Sequence, residues 1–529
     1  RRKLWSKFEY YLGFILQFIY SCGETMMNPV ETIMVKEKRV GPSSELLCNS
    51  ESDFECGSDT ESEMCSEDVS YESTTYINDP IHGMLEVHPL CKAVIDTLEF
   101  QRLRSLKQCG ISHFVYPSAV HTRFEHSLGV SHLALQVIRK LKQNPNCEIS
   151  ETESLCVQLA GLCHDLGHGP FSHSWEQYVQ EKTGEKYEHE NMSIQLFDYL
   201  IRENKLNDSF QRYGIDEEHR KFIKDLILGK PAEYKTLKPK SYLFEIVANK
   251  QNGLDIDKYE YLMRDSYFFG IKIDPNFGRY LTGIRIIEDG DKNEHIGYRD
   301  KLESHIISIF KQRAEMHDKA YKHKVCLRIE TMLLDALSLI EDDFKISIEE
   351  NSEVKKYCLW EWHKNLKAFL QLTDQLFETI LFSTEKSLSK AKEIVLRILN
   401  RKHYSQIYEG TLNNLTAGNE QLNEELKQIE KRLSEKYSAK FCCRLKKLEL
   451  AQSSNDEECC DPLNNVWFIN KESIVYKIDR QKLDPALWLP EQTRCTKLYV
   501  FCSKNLQEEN RNEAVQTIEQ EVRLISQNF

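Results

Sequence analysis

From Pro89 to Phe382, apolar residues recur mostly at helical spacing; alternating runs are short and few. Val94, Ile95, Leu98, Phe100, Leu103 and Leu106 predict helix between Pro89 and Gly110. The same spacing predicts helices over His126–Leu141, Glu153–Leu162, Met192–Ile201 and Glu218–Leu228. Lys301–Leu339 and Trp360–Phe382 read as long helices. Ile284–Tyr298 carries β-like runs around Asp289-Gly290, the pattern of a hairpin. In Leu412–Leu450, Leu415, Leu422 and Ile429 recur every seven residues among Glu and Lys, with Leu426 and Leu433 between them. That predicts a coiled-coil-like or surface helix. Val466–Ile469, Ile474–Ile478 and Lys497–Phe501 predict strands, and no internal repeat is evident. The fold class is mainly α: a large helical core with a smaller α+β C-terminal lobe.

Composition sharpens the boundaries. At 529 residues the chain exceeds one small domain. Hydrophobic content of 40% with 29% charged residues fits a globular, helix-rich protein. From Val40 to Cys91 there is no Lys or Arg, and Glu51–Glu72 is dense in Asp, Glu and Ser. Such a segment buries too little apolar surface to offset chain entropy, so disorder is expected there. The expected division is a disordered acidic segment over 1–75, a large mainly helical domain over 76–345 and a C-terminal lobe over 346–529, with a helical insert near 412–450. Arg1 stands where a start Met would, which predicts a fragment or processed product. Arg1–Lys3 followed by apolar Tyr10–Tyr20 has a signal-peptide layout, but the run is too short to span a bilayer. No membrane association is expected.

The net charge of −13 gives no general attraction for nucleic acid, leaving only local basic patches. The 17 cysteines are odd in number and lack disulfide-dense spacing, which fits a reducing intracellular compartment. Cys442-Cys443 and Cys459-Cys460 lack the CxxC spacing of a zinc site.

The densest chemistry lies in Leu162–His173, LCHDLGHGPFSH. An apolar run, Leu155–Leu162, leads into it, and Gly167, Gly169 and Pro170 end the helix. His164, Asp165, His168 and His173 crowd this turn. Upstream, Arg123 and His126 lie three apart and share a helix face. Downstream, Asp257 sits in NGLDIDKY, with Asp255 as a nearby decoy. Two imidazoles and two carboxylates make a nitrogen/oxygen set suited to iron, manganese or zinc.

His126, His164-Asp165 and Asp257 resemble the H…HD…D signature of the HD-domain phosphohydrolases. Asn78–Gly83, Asp96-Thr97 with Phe100–Arg104, Arg123–Gly129 and Leu162–His173 extend the likeness. They resemble the deoxynucleoside triphosphate triphosphohydrolases that carry a SAM domain ahead of the HD domain. The likeness runs from about Tyr76 to about Glu409, without the SAM domain. It implies a helical HD core and hydrolysis of dNTPs to deoxynucleoside and inorganic triphosphate. It further implies a transition metal (Fe or Zn) on His126, His164, Asp165 and Asp257, with Mg2+ accompanying the nucleotides. Arg123, Lys258 and Arg313 match phosphate contacts, and His168 an α-phosphate contact. His173 matches the proton donor to the sugar oxygen, tuned by Glu176 and His189; Glu176 replaces the family's Asp. Gln108, Tyr261 and Asp265 match 3′-hydroxyl contacts, Tyr321 the gate against ribose, and His317 a further substrate contact. Cys109 lies beside the sugar in place of a larger apolar residue.

The resemblance also implies activation by GTP or dGTP and a dNTP, bridging a homotetramer. Asp96, Gln101, Arg104 and Arg401 match guanine-nucleotide contacts. Asn78, Val115, Arg279, Arg299, Lys301, His323 and Lys324 match contacts to the second nucleotide. Thr75 and Ser405 stand where the family has phosphate-binding lysines; Lys319 replaces an arginine and His305 an asparagine. Each charge-assisted contact contributes about 1.5–3 kcal/mol, so weakened or constitutive activation is expected. The implied biology is nuclear, with the cytoplasm as a further site, and limits dNTP pools, including those viruses use. The alternative is a paralogue that binds single-stranded nucleic acid or protein and has weak or lost dNTPase activity.

Overall fold

A hairpin leads into the helical core. Strands β1 (Thr75–Asp79) and β2 (Gly83–Val87) pair antiparallel, from Thr75 opposite Val87 to Asp79 opposite Gly83. Asp79 Oδ1 accepts the backbone N–H groups of Ile81 (2.8 Å) and His82 (2.9 Å), which closes the turn that Asn78-Asp79-Pro80 predicts. The computed structural model describes residues 73–144, 147–350, 353–412, 419–449, 462–478 and 494–528. The acidic segment, the signal-like layout, Leu415 and Cys459-Cys460 lie outside the described residues.

Of the longer helices, α1 (Arg123–Leu141) and α2 (Glu151–Cys163) pack together at the centre. Both open on capping boxes, Thr122 with Glu125 and Ser150 with Glu153. Next come α3 (His173–Thr183), α4 (His189–Glu203), α5 (Glu217–Leu228) and α6 (Ile256–Phe269). Asp255 caps α6 by accepting the Lys258 N–H at 3.0 Å, and Gly270, at φ +68°, ends it. That removes Asp255 from the metal candidates and leaves Asp257 on the first turn.

Three helical expectations need correction. Lys301–Leu339 is two helices, α7 (Glu303–Met316) and α8 (Lys324–Ser338), separated by a π-helical turn over His317–Tyr321. The apolar pattern runs on through this turn, so periodicity could not show the break. Trp360–Phe382 is a 3-10 turn at Leu359–Lys364 and short helices at Leu366–Phe369 and Leu376–Phe382. Asn365 starts a fresh helix there by accepting the Ala368 N–H at 3.0 Å. Pro89–Gly110 likewise splits into Pro89–Ile95, Leu98–Gln101 and a 3-10 turn at Arg102–Ser105, with Thr97 capping the second piece.

The Ile284–Tyr298 hairpin forms as β3 (Ile284–Glu288) and β4 (Glu294–Arg299). Strand β5 (Lys345–Glu350) pairs with β6 (Glu353–Cys358). Helix α9 (Ser389–Leu399) leads to β7 (Ser405–Leu412). Among the described residues of the 412–450 segment, α10 (Asn419–Tyr437) is helical and Phe441–Glu449 forms strand β8. Ser438, at φ 48°, ends the helix, and Phe441 and Cys443 turn inward as strand residues. The predicted strands appear as β9 (Trp467–Ile469), β10 (Val475–Lys477) and β11 (Arg494–Cys502). Strand β9 runs parallel to β4, extending the hairpin sheet in the order β10-β9-β4-β3. Helices α10 and α11 (Glu508–Asn528) cover the β7-β11-β8 sheet. Leu422, Leu426, Ile429 and Leu433 bury there against Leu498, Val500 and Ile518, so the heptad faces a sheet. Among the described residues, no helix is long and apolar enough to cross a membrane.

Candidate active site

Three segments distant in sequence converge at the LCHDLGHGPFSH turn. His126 comes from the first turn of α1, His164 and Asp165 from the end of α2, and Asp257 from the first turn of α6. His126 Nε2 lies 3.3 Å from His164 Nε2 and 3.0 Å from Asp257 Oδ1. His164 Nε2 lies 3.4 Å from Asp257 Oδ1 and 3.4 Å from Asp165 Oδ1. The far ring atoms are committed: His164 Nδ1–H donates to the Gly161 carbonyl at 2.8 Å, and His126 Nδ1 lies 2.5 Å from Glu260 Oε2. With Nδ1 the donor on each ring, both Nε2 lone pairs face one point. A divalent ion would be met there by two imidazole Nε2 atoms and two carboxylates together, so this donor set fits a transition metal.

Without a metal, a proton on His126 Nε2 takes that place. Burial opposes charge on His126, but Glu260, Asp257 and Asp165 outweigh it and raise the imidazole to about 10. Burial also opposes ionisation of Asp165, yet Arg123 and His164 hold it well below the usual carboxylate range. Arg123 Nη1 stands 2.5 Å from Asp165 Oδ2, and Nη2 donates to Ser172 Oγ. Arg123 and His126 therefore share a face, as their spacing predicts.

Beyond this donor set lies a histidine array. His168 stacks on His189 with centroids 3.8 Å apart, and its Nε2 is 3.3 Å from Asp165 Oδ1. Burial, then the Arg123 guanidinium, holds His168 far below the usual imidazole range, so it is neutral. Glu176 accepts from both neighbours, at 3.0 Å from His173 Nδ1 and 2.7 Å from His189 Nδ1. The longer carboxylate thus spans both histidines. Burial opposes charge on His189 as well, but Glu176, Glu190 and Asp165 raise it to about 9.

This gives a pH prediction for the metal-free protein. An unfolded imidazole titrates near about 6.5. Because folding raises His189, its stabilisation is fully present below that pH and is lost as pH rises through about 9. Denaturant titrations across this window should show a step in wild type that His189→Gln lacks. Coincident profiles would contradict it.

The turn itself is packed tightly. A Cβ on Gly167 would sit 2.1 Å from the His189 carbonyl oxygen, and one on Gly169 2.2 Å from Trp175 Cδ1. Gly167→Ala should therefore cost about 1–3 kcal/mol, read as a lower urea midpoint at unchanged slope. An unchanged midpoint would mean that the turn tolerates a side chain.

On the other side, Asp265 accepts from Tyr321 Oη at 2.7 Å and from His121 Nε2 at 2.7 Å. Cys109 Sγ is 4.0 Å from the same His121 nitrogen. Tyr261 faces Tyr321, with ring centroids 6.2 Å apart, and His317 meets Tyr321 at 4.9 Å. The buried Gln108 Oε1 has no hydrogen-bond partner, an orphaned amide end suited to a ligand hydroxyl. Lys258 donates to the Gly253 carbonyl, and Arg313 is buried nearby in sequence to the π turn. Burial, then Arg313, keeps His317 neutral.

Sequence reasoning missed several supports. Buried Arg102 donates to the carbonyls of Leu166 (3.3 Å), His168 (2.8 Å) and Leu372 (3.0 Å). Asp374 accepts the N–H groups of Phe171 (2.7 Å) and Lys107 (2.8 Å). Ser193 accepts from Gly167 N and donates to the His164 carbonyl. Glu260 and His121 also went unnoticed. The signal available for Glu260 was its position three residues after Asp257 on one helix face.

The positions matched to activator contacts fall on separate elements. Asn78 lies in β1, Asp96 ends the first short helix, and Arg104 donates to Gln101 at 2.8 Å while lying 3.5 Å over the Phe124 ring. Val115 follows a 3-10 turn over Gly110–Phe114. Arg279 donates to the Lys301 carbonyl, Arg299 ends β4, and His323 caps α8 just before Lys324. Arg401 lines an open groove with Arg397, Lys402, His403 and Lys504. Ser405 meets Asn505 at its edge.

The HD domain family matches residues 123–248. The deoxynucleoside triphosphate triphosphohydrolase SAMHD1 of Bos taurus is 43% identical over 347 residues, 63% of this chain and 58% of that protein. SAMHD1 of Danio rerio is 35% identical over 452 residues, 82% of this chain and 72% of that protein. The SAMHD1 homolog of Dictyostelium discoideum is 33% identical over 437 residues, 82% of this chain and 78% of that protein. The chain thus spans little more than half the length of the Bos taurus protein.

Proposed function

The chain belongs to the family of the SAMHD1 triphosphohydrolases, and from that premise we propose that it hydrolyses dNTPs to deoxynucleoside and inorganic triphosphate. The observation that carries this reading is the convergence of His126, His164, Asp165 and Asp257 beside the His173–Glu176–His189 array. Those four residues would hold iron or zinc, with Mg2+ accompanying the nucleotide. Such an ion, when bound, polarises a phosphoryl oxygen and lowers the pKa of water.

The remaining steps belong to the chain's own residues. Arg123, Lys258 and Arg313 face the substrate's negative charge. Arg123 also holds Asp165 and Ser172 in register. Neutral His168 donates to the α-phosphate. Water adds to the α-phosphorus, and the bond from phosphorus to the sugar 5′-oxygen breaks. His173 gives its Nε2 proton to that oxygen while Glu176 holds Nδ1. Asp265, fixed by His121 and Tyr321, accepts the 3′-hydroxyl proton, and the Gln108 amide, with its NH2 turned inward, donates to the hydroxyl oxygen. Tyr321 stands against a 2′-hydroxyl.

The proposal extends to control by GTP or dGTP and dNTP in a homotetramer, and to nuclear limitation of dNTP pools, including those of viruses. With Thr75 and Ser405 in place of lysines, activation should be weak. The test is dTTP hydrolysis with and without GTP, alongside mass measured in solution. Turnover changing less than about tenfold supports weak control; each lost contact of about 1.4 kcal/mol or more corresponds to such a factor. Strict GTP dependence with tight tetramers would contradict it.

The groove of Arg397, Arg401, Lys402 and Lys504 favours a second reading, binding of single-stranded nucleic acid. Filter binding of single-stranded RNA should then weaken steeply with salt.

A further inference from the structure

Behind the metal ligands lies a buried charged array that the proposed reaction does not use. Glu260 and Arg264 are both 0% exposed, on consecutive turns of α6. Glu260 Oε2 meets His126 Nδ1 at 2.5 Å. Its Oε1 accepts from Arg264 Nε at 2.7 Å and from His82 Nε2 at 3.1 Å. Arg264 Nη1 in turn lies 3.0 Å from Asp79 Oδ2, while Asp79 Oδ1 holds the β1–β2 turn.

Buried ion clusters of this kind contribute little net stability compared with apolar packing, because desolvation offsets the attraction. The geometry instead matches a carboxylate–imidazole pair that sets a ligand's tautomer and ring angle. A second feature protects it. Gly129 on α1 faces Glu260, and a Cβ there would lie 2.2 Å from Oε1 and 2.7 Å from Cδ. The glycine in RFEHSLG therefore leaves room for the carboxylate that supports the histidine three residues before it.

We infer that Glu260 is a positioning residue for the metal centre, fixing His126 so that Nε2 faces His164, Asp165 and Asp257, and that Arg264, Asp79 and His82 hold Glu260 in place. The hairpin ahead of the helical core is thereby part of the metal centre's framework. This rests on reading His126, His164, Asp165 and Asp257 as the metal-binding set.

The test measures Zn2+ affinity of the full chain by competition with a chromophoric chelator, beside the melting temperature of the metal-free protein. Glu260→Gln keeps the shape and removes the charge; Gly129→Ala keeps every charged group and displaces the carboxylate. Each should weaken Zn2+ binding by about 10–100-fold, the usual effect of losing such a partner. Gly129→Ala carries the test if Glu260→Gln does not fold. Wild-type Zn2+ affinity in either folded variant overturns the inference. His164→Ala separates the two readings. If it loses Zn2+ while Glu260→Gln keeps it, the metal site stands and the role of Glu260 falls. If it binds Zn2+ as wild type does, the metal-site reading fails and the inference with it.

Discussion

The double variant His164→Ala/Asp165→Ala should lose bound metal and dNTP turnover together, with turnover falling by about 10³-fold or more. That factor corresponds to the several kcal/mol a Lewis-acidic ion contributes. His164 and Asp165 supply adjacent donors at 3.4 Å from one another, and each faces a ligand from another helix. Removing both leaves His126 and Asp257, too few protein donors for a stable site. The change also strips Arg123 of its buried carboxylate partner, which costs stability on the order of 3–5 kcal/mol. Metal content by elemental analysis and a thermal melt must therefore accompany the rate. Sustained turnover by a folded, metal-free double variant would rule out the proposed site.

His173→Ala should cut kcat by about 10²–10⁴-fold, the usual range for a lost general acid, and leave metal content at the wild-type level. The prediction differs from the first because His173 lies outside the proposed ligand set. Its side chain is 70% exposed, with Nδ1 held by Glu176 and the ring edge-on to His168 and His189. Loss of this ring should barely move the melting temperature. Glu176→Gln should fall between wild type and His173→Ala, since the imidazole stays but loses its charged partner. Equal kcat in wild type and His173→Ala would transfer the proton donation to another group.

Much of this site was legible in sequence because its chemistry is local. LCHDLGHGPFSH carries two of the proposed metal donors, the proposed phosphate histidine and the proposed acid within a dozen residues, and its glycines end the helix; the close packing at Gly167 and Gly169 is visible only in the structure. The core helices α1, α2, α4 and α5 were legible from apolar spacing, and the β3–β4 hairpin from Asp289-Gly290.

What escaped depends on contacts between distant segments. The π turn at His317–Tyr321 adds a residue to a helical pattern without breaking its apolar stripe. Glu260, His121 and Asp374 are single polar residues in unremarkable settings, and only the fold gives them partners, up to 267 residues away for Asp374. The second core misled for a different reason. A heptad of leucines reads alike whether it meets another helix or a sheet, and α10 meets a sheet.

The central claim is that water adds at the α-phosphorus and the sugar 5′-oxygen departs. Hydrolysis of dGTP in 18O-labelled water, with GTP present and products read by mass spectrometry, tests it most directly. The account predicts one 18O in inorganic triphosphate and none in the deoxyguanosine. Pyrophosphate or orthophosphate as the product, or label in the deoxyguanosine 5′-hydroxyl, would contradict it.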